Sequence, residues 1–304
     1  MAFDGITVAC MAHELNKNLA GGRISKIAQP ETDELLLTVK SQEGNFRLLL
    51  SASASLPLIY LTQNNKPGPL TAPNFCMLLR KHISGGRIIS VTQPSLERVL
   101  RFEIEHLDEM GDLCRKYLMV ELMGKYSNII FCSDQDQIID SIKHVSAQIS
   151  SVREVLPGRP YFIPETQEKE NPLTVTEKAF IKLVSAKAAK LSKALYTSLT
   201  GLSPIAAEEI CHQATLDSDR PAGTFGQEEL IHLYRTLTRY LEPLSSGNYM
   251  PSIYYDGKNP VEFSCLPLTL YDHCRKETYP LVSSMLEHYY AEKNTLTRIR
   301  QKST

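Results

Sequence analysis

Apolar positions recur at helical spacing twice near the start of the chain. Ile6, Cys10, Leu15 and Leu19 form one stripe, and Phe75, Leu78, Leu79 and Ile83 form another. Each stripe runs into a pair of glycines, the signature of a left-handed helix end. Then the same decapeptide follows: Gly21-Gly22-Arg23-Ile24-Ser25-Lys26-Ile27-Ala28-Gln29-Pro30 recurs as Gly85-Gly86-Arg87-Ile88-Ile89-Ser90-Val91-Thr92-Gln93-Pro94, identical at six of ten positions. The unit is helix, Gly-Gly, strand, Pro-turn, strand (Glu34–Lys40 in the first copy, Arg98–Glu105 in the second). Two such units can pack about a pseudo-two-fold axis. Chance likeness between two helix–hairpin units is the weaker alternative, because both ends of the decapeptide are retained.

Shorter apolar runs bounded by turn residues predict further strands at 47–51, 58–62, 117–123, 128–132 and 137–142, with Asp134-Gln135-Asp136 as the last turn. Residues 1–163 thus read as α+β, dominated by antiparallel strands. Pro164 to Pro172 is polar, Pro-bounded and without period, which predicts a linker. Thr174-x-x-Glu177 reads as a capping box opening a helical stretch to about Leu244. Within it, Gly201 allows a tight turn, Ser203 is a candidate cap and Pro204 suits a first helical turn, so Leu199–Ile210 reads as a helical hairpin. Ser252–Tyr255 and Val261–Leu266 flank Asp256-Gly257 as a β-hairpin. From Leu281 the chain is helical again. Val282, Met285, Tyr289, Leu296 and Ile299 follow heptad spacing that is still running at Thr304, so a coiled coil continuing beyond is expected.

Composition narrows the classes. In 304 residues, 33 Lys and Arg stand against 34 Asp and Glu, a net charge of −1. That excludes a surface coated throughout for polyanions. No apolar run is long enough to span a membrane, and Met1-Ala2-Phe3-Asp4 does not open a secretory leader. Seven cysteines with no C-x-x-C predict reduced thiols and a cytoplasmic protein. Neither His13-Glu14, Cys211-His212 nor His273-Cys274 has zinc spacing. There is no Walker motif, G-x-G-x-x-G or G-x-S-x-G, so no enzyme, metal or cofactor is expected.

Against that neutral background two stretches stand out. Arg80, Lys81, Arg87, Arg98 and Arg101 face one acid, Glu97, and with Lys125 they are candidate contacts to an RNA backbone; a solvated surface is the blander reading. Lys178, Lys182, Lys187, Lys190 and Lys193 on helical spacing invite the same two readings. Gly201 and Ser203 are further candidates, since a helix start offers N–H groups to phosphate; a purely structural hairpin fits them equally. Glu121 interrupts an otherwise apolar run, Leu118 to Met123. Buried there, its carboxylate needs a partner, for which Arg98 on a neighbouring strand is one candidate. That network reads either as structural or as the wall of a binding pocket.

Phe3-Asp4-Gly5, His13-Glu14-Leu15-Asn16, Gly21-Gly22-Arg23-Ile24, Phe75 to His82, Val120 to Asn128, Asp140-Ser141-Ile142-Lys143-His144 and Val152 to Gly158 together resemble the NFACT family along essentially the whole chain. The resemblance implies an NFACT-N domain at 1–172, similar in fold to the N-terminal domain of Fpg/Nei-type DNA glycosylases. It implies a helix-hairpin-helix domain at 173–245, a β-hairpin segment at 246–282 packing back on the first domain, and the start of a coiled coil at 283–304. It also implies a function in ribosome quality control. Family members bind large ribosomal subunits holding peptidyl-tRNA and recruit alanyl-tRNA for alanine tailing of stalled chains, binding tRNA and rRNA without performing peptide transfer. The family's Asp-Arg pair for tRNA matches Glu97-Arg98, with a longer acid. Its Glu-Ile-Met-Gly motif matches Glu121-Leu122-Met123-Gly124. Glycosylase chemistry is not expected, because Ala2 and Phe3 supply no N-terminal proline nucleophile. The label fibronectin-binding, also used in this family, suggests a surface adhesin as the alternative.

Overall fold

The computed structural model describes residues 3–164 and 169–303. These divide into two compact units: residues 11–94 with 98–164, and residues 3–10 and 95–97 with 169–303.

The first unit opens with the end of α1 (Gly5–Leu19), followed by β1 (Arg23–Glu31), β2 (Glu34–Ser41), β3 (Gly44–Ser51) and β4 (Leu58–Thr62). Then come α2 (Asn74–Ile83), β5 (Arg87–Thr92), β6 (Val99–Leu107), β7 (Leu113–Glu121), β8 (Asn128–Ser133) and β9 (Ile138–Ser141). Among the described residues the nine strands form one sheet in the order β4-β3-β2-β1-β5-β6-β7-β8-β9, antiparallel throughout. The repeated decapeptides meet at its centre. Gly21 N donates to Ile88 O at 2.7 Å and Gly85 N to Ile24 O at 2.7 Å; Ile24 N donates to Gly86 O and Ile88 N to Gly22 O, both at 2.8 Å. Each bond has its mirror in the other copy, which is the expected pseudo-two-fold relation. In both pairs the first glycine supplies backbone handedness (φ +81° at Gly21, +75° at Gly85). The second supplies room: a Cβ on Gly22 would lie 2.7 Å from Val39 Cγ1, and one on Gly86 3.0 Å from Ile83 O.

Strand β6 shows why one face of the sheet is apolar. Leu100, Phe102 and Ile104 are buried, while Arg101, Glu103 and Glu105 between them are half-exposed. The expected strand at 117–123 is displaced: β7 spans Leu113–Glu121. It stops before Met123 because Gly124, at φ +56°, bends the chain into a turn of 3-10 helix.

The second unit holds α3 (Glu177–Ser185), α4 (Leu191–Ser198), α5 (Pro204–Gln213), α6 (Gln227–Leu241) and α7 (Pro243–Ser246). These are followed by β10 (Ser252–Asp256), β11 (Asn259–Ser264), β12 (Arg275–Thr278) and α8 (Val282–Lys302). The expected capping box at Thr174 is not formed. Thr174 and Val175 donate their N–H groups to Asn171 O, and the cap is Thr176, whose hydroxyl accepts from Ala179 N at 3.2 Å. Of the expected linker, Glu165–Glu168 lie outside the described residues. Glu170 is tied down, bonding Ser198 O and Thr200 N at 2.9 Å each. The expected hairpin is present as β10–β11, and β12 adds a strand that no alternation announced, its sequence being Arg-Lys-Glu-Thr. Helix α8 buries Val282, Met285, Leu286 and Tyr289, whereas Ile299 on the same heptad spacing is 57 % exposed.

Asp4 organises this unit. Its Oδ1 accepts from Thr7 N at 2.9 Å, capping α1, and its Oδ2 accepts from Ser203 Oγ at 2.7 Å. Ser203 in turn caps α5 by accepting from Ala206 N at 3.3 Å. Gly5 N donates to Gly201 O at 2.9 Å. Gly201 has φ +82°, and a Cβ on it would stand 2.0 Å from Leu96 O. Gly201→Ala combines backbone strain with collision against main chain and is expected to cost more than about 3 kcal/mol. Gly21→Ala, with open space around it, should cost about 1–2 kcal/mol. Denaturant unfolding of the two variants measures the difference.

Candidate functional site

Glu121 closes β7 opposite Val99 on β6 and Asn128 on β8, and is fully buried. The candidate partner Arg98 is not what satisfies it. Neighbouring positions of an extended chain point to opposite faces, and Val99, not Arg98, stands across from Glu121. Arg98 contributes only its carbonyl, which accepts from Leu122 N at 2.9 Å. The carboxylate is held instead from the irregular segment 145–163. Arg153 Nη2 donates to Oε1, and the Tyr161 hydroxyl donates to Oε2 at 2.8 Å. The Arg153 side chain is 10 % exposed, and its Nη1 donates to Phe162 O at 2.7 Å. Burial works against the Arg153 charge, but the Glu121 carboxylate outweighs it and holds the guanidinium above its ordinary value. Burial first, then Glu121, pushes the Tyr161 phenol up, so it stays a donor. The clamp lies over a small apolar cluster of Val99, Met119, Ile130, Cys132, Ile138 and Val155.

Beyond Glu121 the chain turns. Leu122 is buried, Met123 and Gly124 are half-buried, and Lys125 and Tyr126 are exposed, with Lys125 Nζ 5.1 Å from the Tyr126 ring. Ser127 Oγ accepts from Met123 N at 2.9 Å, closing the turn. Asn128 then reaches into the next motif: its Oδ1 accepts from Lys143 N at 3.1 Å and its Nδ2 donates to Lys143 O at 3.0 Å. Lys143 is turned inward to Ala52 O, and burial lowers its pKa. His144 stays exposed and pairs with Asp140 at 2.7 Å. One end of the sheet therefore presents Arg98, Met123, Lys125, Tyr126 and His144. The Arg98 guanidinium makes no hydrogen bond or ion pair with any described residue.

The other candidates disperse. Arg80 Nε donates to Ile27 O at 2.8 Å, and Lys81 Nζ lies 3.5 Å from Glu109. Arg87 is registered against Glu105 at the far end of β5, and Glu105 lies seven residues along the chain from Arg98, roughly 23 Å at 3.3 Å per residue. Arg101 lies 3.9 Å above the Tyr117 ring. The five cations thus do not form a single patch. Glu97 is half-buried and grouped with the other unit. Ser203 is not placed as a phosphate contact, being 6 % exposed with its hydroxyl taken by the protein's own Asp4, while Gly201 is half-buried and its carbonyl accepts from Gly5 N. Of the helical lysines, Lys190 pairs with Asp219 at 3.4 Å, and Lys178, Lys182 and Lys193 are exposed. Among the described residues no three His, Cys, Asp or Glu side chains are placed to hold a metal, and no helix is long and apolar enough to cross a membrane.

Arg153 and Tyr161 are the residues that sequence reasoning missed. Their signal was the unpaired acid itself, because a carboxylate among apolar residues requires a cation somewhere in the chain. Arg153→Met is expected to cost about 3–5 kcal/mol by stranding Glu121, and Tyr161→Phe about 1–3 kcal/mol. The double variant Glu121→Leu/Arg153→Leu should lose much less than the sum of its single changes, as measured by a denaturant double-mutant cycle.

The family model "NFACT N-terminal and middle domains" matches residues 4–304. The chain is similar to the Rqc2 homolog RqcH of Bacillus subtilis, with 34 % identity over 307 residues, covering 100 % of this chain and 51 % of that protein. It is also similar to RqcH of Streptococcus suis, with 37 % identity over 219 residues, covering 71 % and 39 %. The chain therefore spans about half the length, or less, of these curated relatives. Among solved structures, the N-terminal part of the fibronectin/fibrinogen-binding protein of Streptococcus suis superposes with a TM-score of 0.78 at 30 % identity, over 96 % of this chain and 100 % of that one. The fibrinogen-binding protein of Staphylococcus aureus gives 0.79 at 27 %, over 95 % and 99 %. Matched over nearly its whole length, this chain belongs to the NFACT family.

Proposed function

We propose that this protein acts in ribosome quality control. In this reading it binds obstructed large ribosomal subunits and recruits alanyl-tRNA, so that stalled chains receive C-terminal alanine tails. It is a cytoplasmic binding factor and not an enzyme; peptide transfer is left to the ribosome. The relatives named Rqc2 homologues support the role. The observation that carries the tRNA assignment is the Arg98 end of the sheet. A guanidinium with no hydrogen bond or ion pair among the described residues stands with Lys125, Tyr126 and His144 around a turn anchored by a buried ion pair. Free donors with an exposed aromatic ring suit a phosphate backbone and an unstacked base. Glu121 and Leu122, having no exposed surface, act by shaping that turn. Within this reading α4 and α5 form the helix-hairpin-helix element, whose α5 start is closed by Asp4, and α8 begins the coiled coil.

The names of the structurally similar fibronectin- and fibrinogen-binding proteins favour a second reading, an adhesin for fibronectin or fibrinogen. One pair of measurements separates them. In the full-length protein, Arg98→Ala should weaken tRNA binding roughly ten-fold or more and reduce the salt slope by about 1. The wild-type protein should co-sediment with large ribosomal subunits. Unchanged tRNA affinity in the variant would sink the site. Fibronectin capture without co-sedimentation would favour the adhesin.

A further inference from the structure

The pairing of β6 with β7 sets His106 directly across from Cys114, and residues so placed have Cβ atoms about 5 Å apart. Lys116, two positions along β7, falls on the same face. The three side chains converge. Cys114 Sγ lies 3.2 Å from His106 Nε2 and 3.7 Å from Nδ1. Lys116 Nζ lies 3.5 Å from Sγ and 3.4 Å from Nε2. His106 is 6 % exposed, and its Nδ1 is 3.1 Å from Leu107 O. A carbonyl only accepts, so Nδ1 carries the proton and Nε2 is left with its lone pair toward the cysteine side. Burial, reinforced by the Lys116 ammonium, holds the imidazole below its ordinary pKa and keeps it neutral, able to take a proton.

Nothing in the proposed function uses this cluster. Cys114 is half-exposed, so small molecules reach it. Five other cysteines are buried, and burial pushes the Cys132 and Cys211 thiols up to about 12. Cys274 is half-exposed as well, but its thiol makes no hydrogen bond with any described residue. The molecule thus contains its own control: two accessible thiols, one with a proton acceptor and an ammonium, one without.

We propose that Cys114 is an activated nucleophilic thiol and the site at which hydroperoxides and other small electrophiles modify this protein. The Cys114 proton passes to His106 Nε2. The sulfur electron pair attacks one oxygen of the peroxide, an S–O bond forms and the O–O bond breaks. The second oxygen leaves with the bonding pair and takes the proton from the imidazolium, as water when the oxidant is hydrogen peroxide. Sulfur is oxidised to a sulfenic acid and the peroxide is reduced. The Lys116 ammonium faces the sulfur while it is anionic.

The test treats the intact protein at pH 7 with substoichiometric iodoacetamide, or with hydrogen peroxide followed by dimedone, and maps the labelled peptides by mass spectrometry. Cys114 is expected to react at least ten-fold faster than Cys274. Lys116→Met, which keeps the hydrophobic stem, and His106→Gln should each bring Cys114 down to the Cys274 rate. Equal rates in the wild-type protein, or no slowing in Lys116→Met with an unchanged melting temperature, would overturn the proposal.

Discussion

Four main-chain hydrogen bonds between two copies of one decapeptide join the halves of the nine-stranded sheet. The register of β1 against β5 contains a single strand pair, Arg23 with Arg87, so the junction is short and depends on those bonds. It also depends on close approach of the chains at Gly22 and Gly86, where any side chain would meet backbone or a packed methyl group. A junction made from the same residues on both sides needs no second solution for its geometry. Each half hangs its remaining strands outward from that axis. The Arg98 end of β5–β7 is therefore placed by the central pairing before any residue of the candidate site contributes.

The second constraint is electrostatic. A fully buried carboxylate costs several kcal/mol unless it is paired and hydrogen-bonded. Glu121 meets that requirement with two donors, a guanidinium and a phenol, both from the segment after β9. That segment has little regular structure; its main chain is pinned by the mutual bonds of Val145 and Val155. The ion pair thus fixes a loop that propensity alone would leave free, and with it the start of the Met123–Tyr126 turn. The structural and functional readings of Glu121 merge here: the buried network is structural, and what it shapes is surface.

Much of the first unit was legible from the amino acids. The repeat, both Gly-Gly helix ends, the β4 boundaries and the pseudo-symmetry follow from period and local turn chemistry. The errors share one cause. Thr174 and Thr176 are equally good caps by type, and only the turn at Asn171 chooses between them. Strand β12 is polar at every position and exists because β10 offers it an edge. Asp4 and Ser203 lie too far apart in sequence for any local rule to join them. The need of Glu121 for a cation was readable, but its source was not, because nearby Arg98 and distant Arg153 are the same residue type. Local chemistry states what a residue requires, and tertiary contact decides who supplies it.

The same distinction governs charge. A net charge of −1 forbids an indiscriminate hold on polyanions. Counting cations along the chain suggests a remedy between Arg80 and Arg101, but folding distributes those residues. One goes to a carbonyl, one toward Glu109, one to a far strand end and one onto an aromatic ring. Among the described residues the Arg98 guanidinium makes no hydrogen bond or ion pair, and it lies half-buried at the end of the sheet. A single preorganised guanidinium on a shaped turn yields little non-specific affinity, since few counterions are released. It discriminates by geometry, because only a ligand whose contour follows the turn brings its phosphate within reach. Under the proposed tRNA-binding role, near-neutrality works for selection: with weak background attraction, fit at the Arg98 end would account for most of the difference between a cognate RNA and any other.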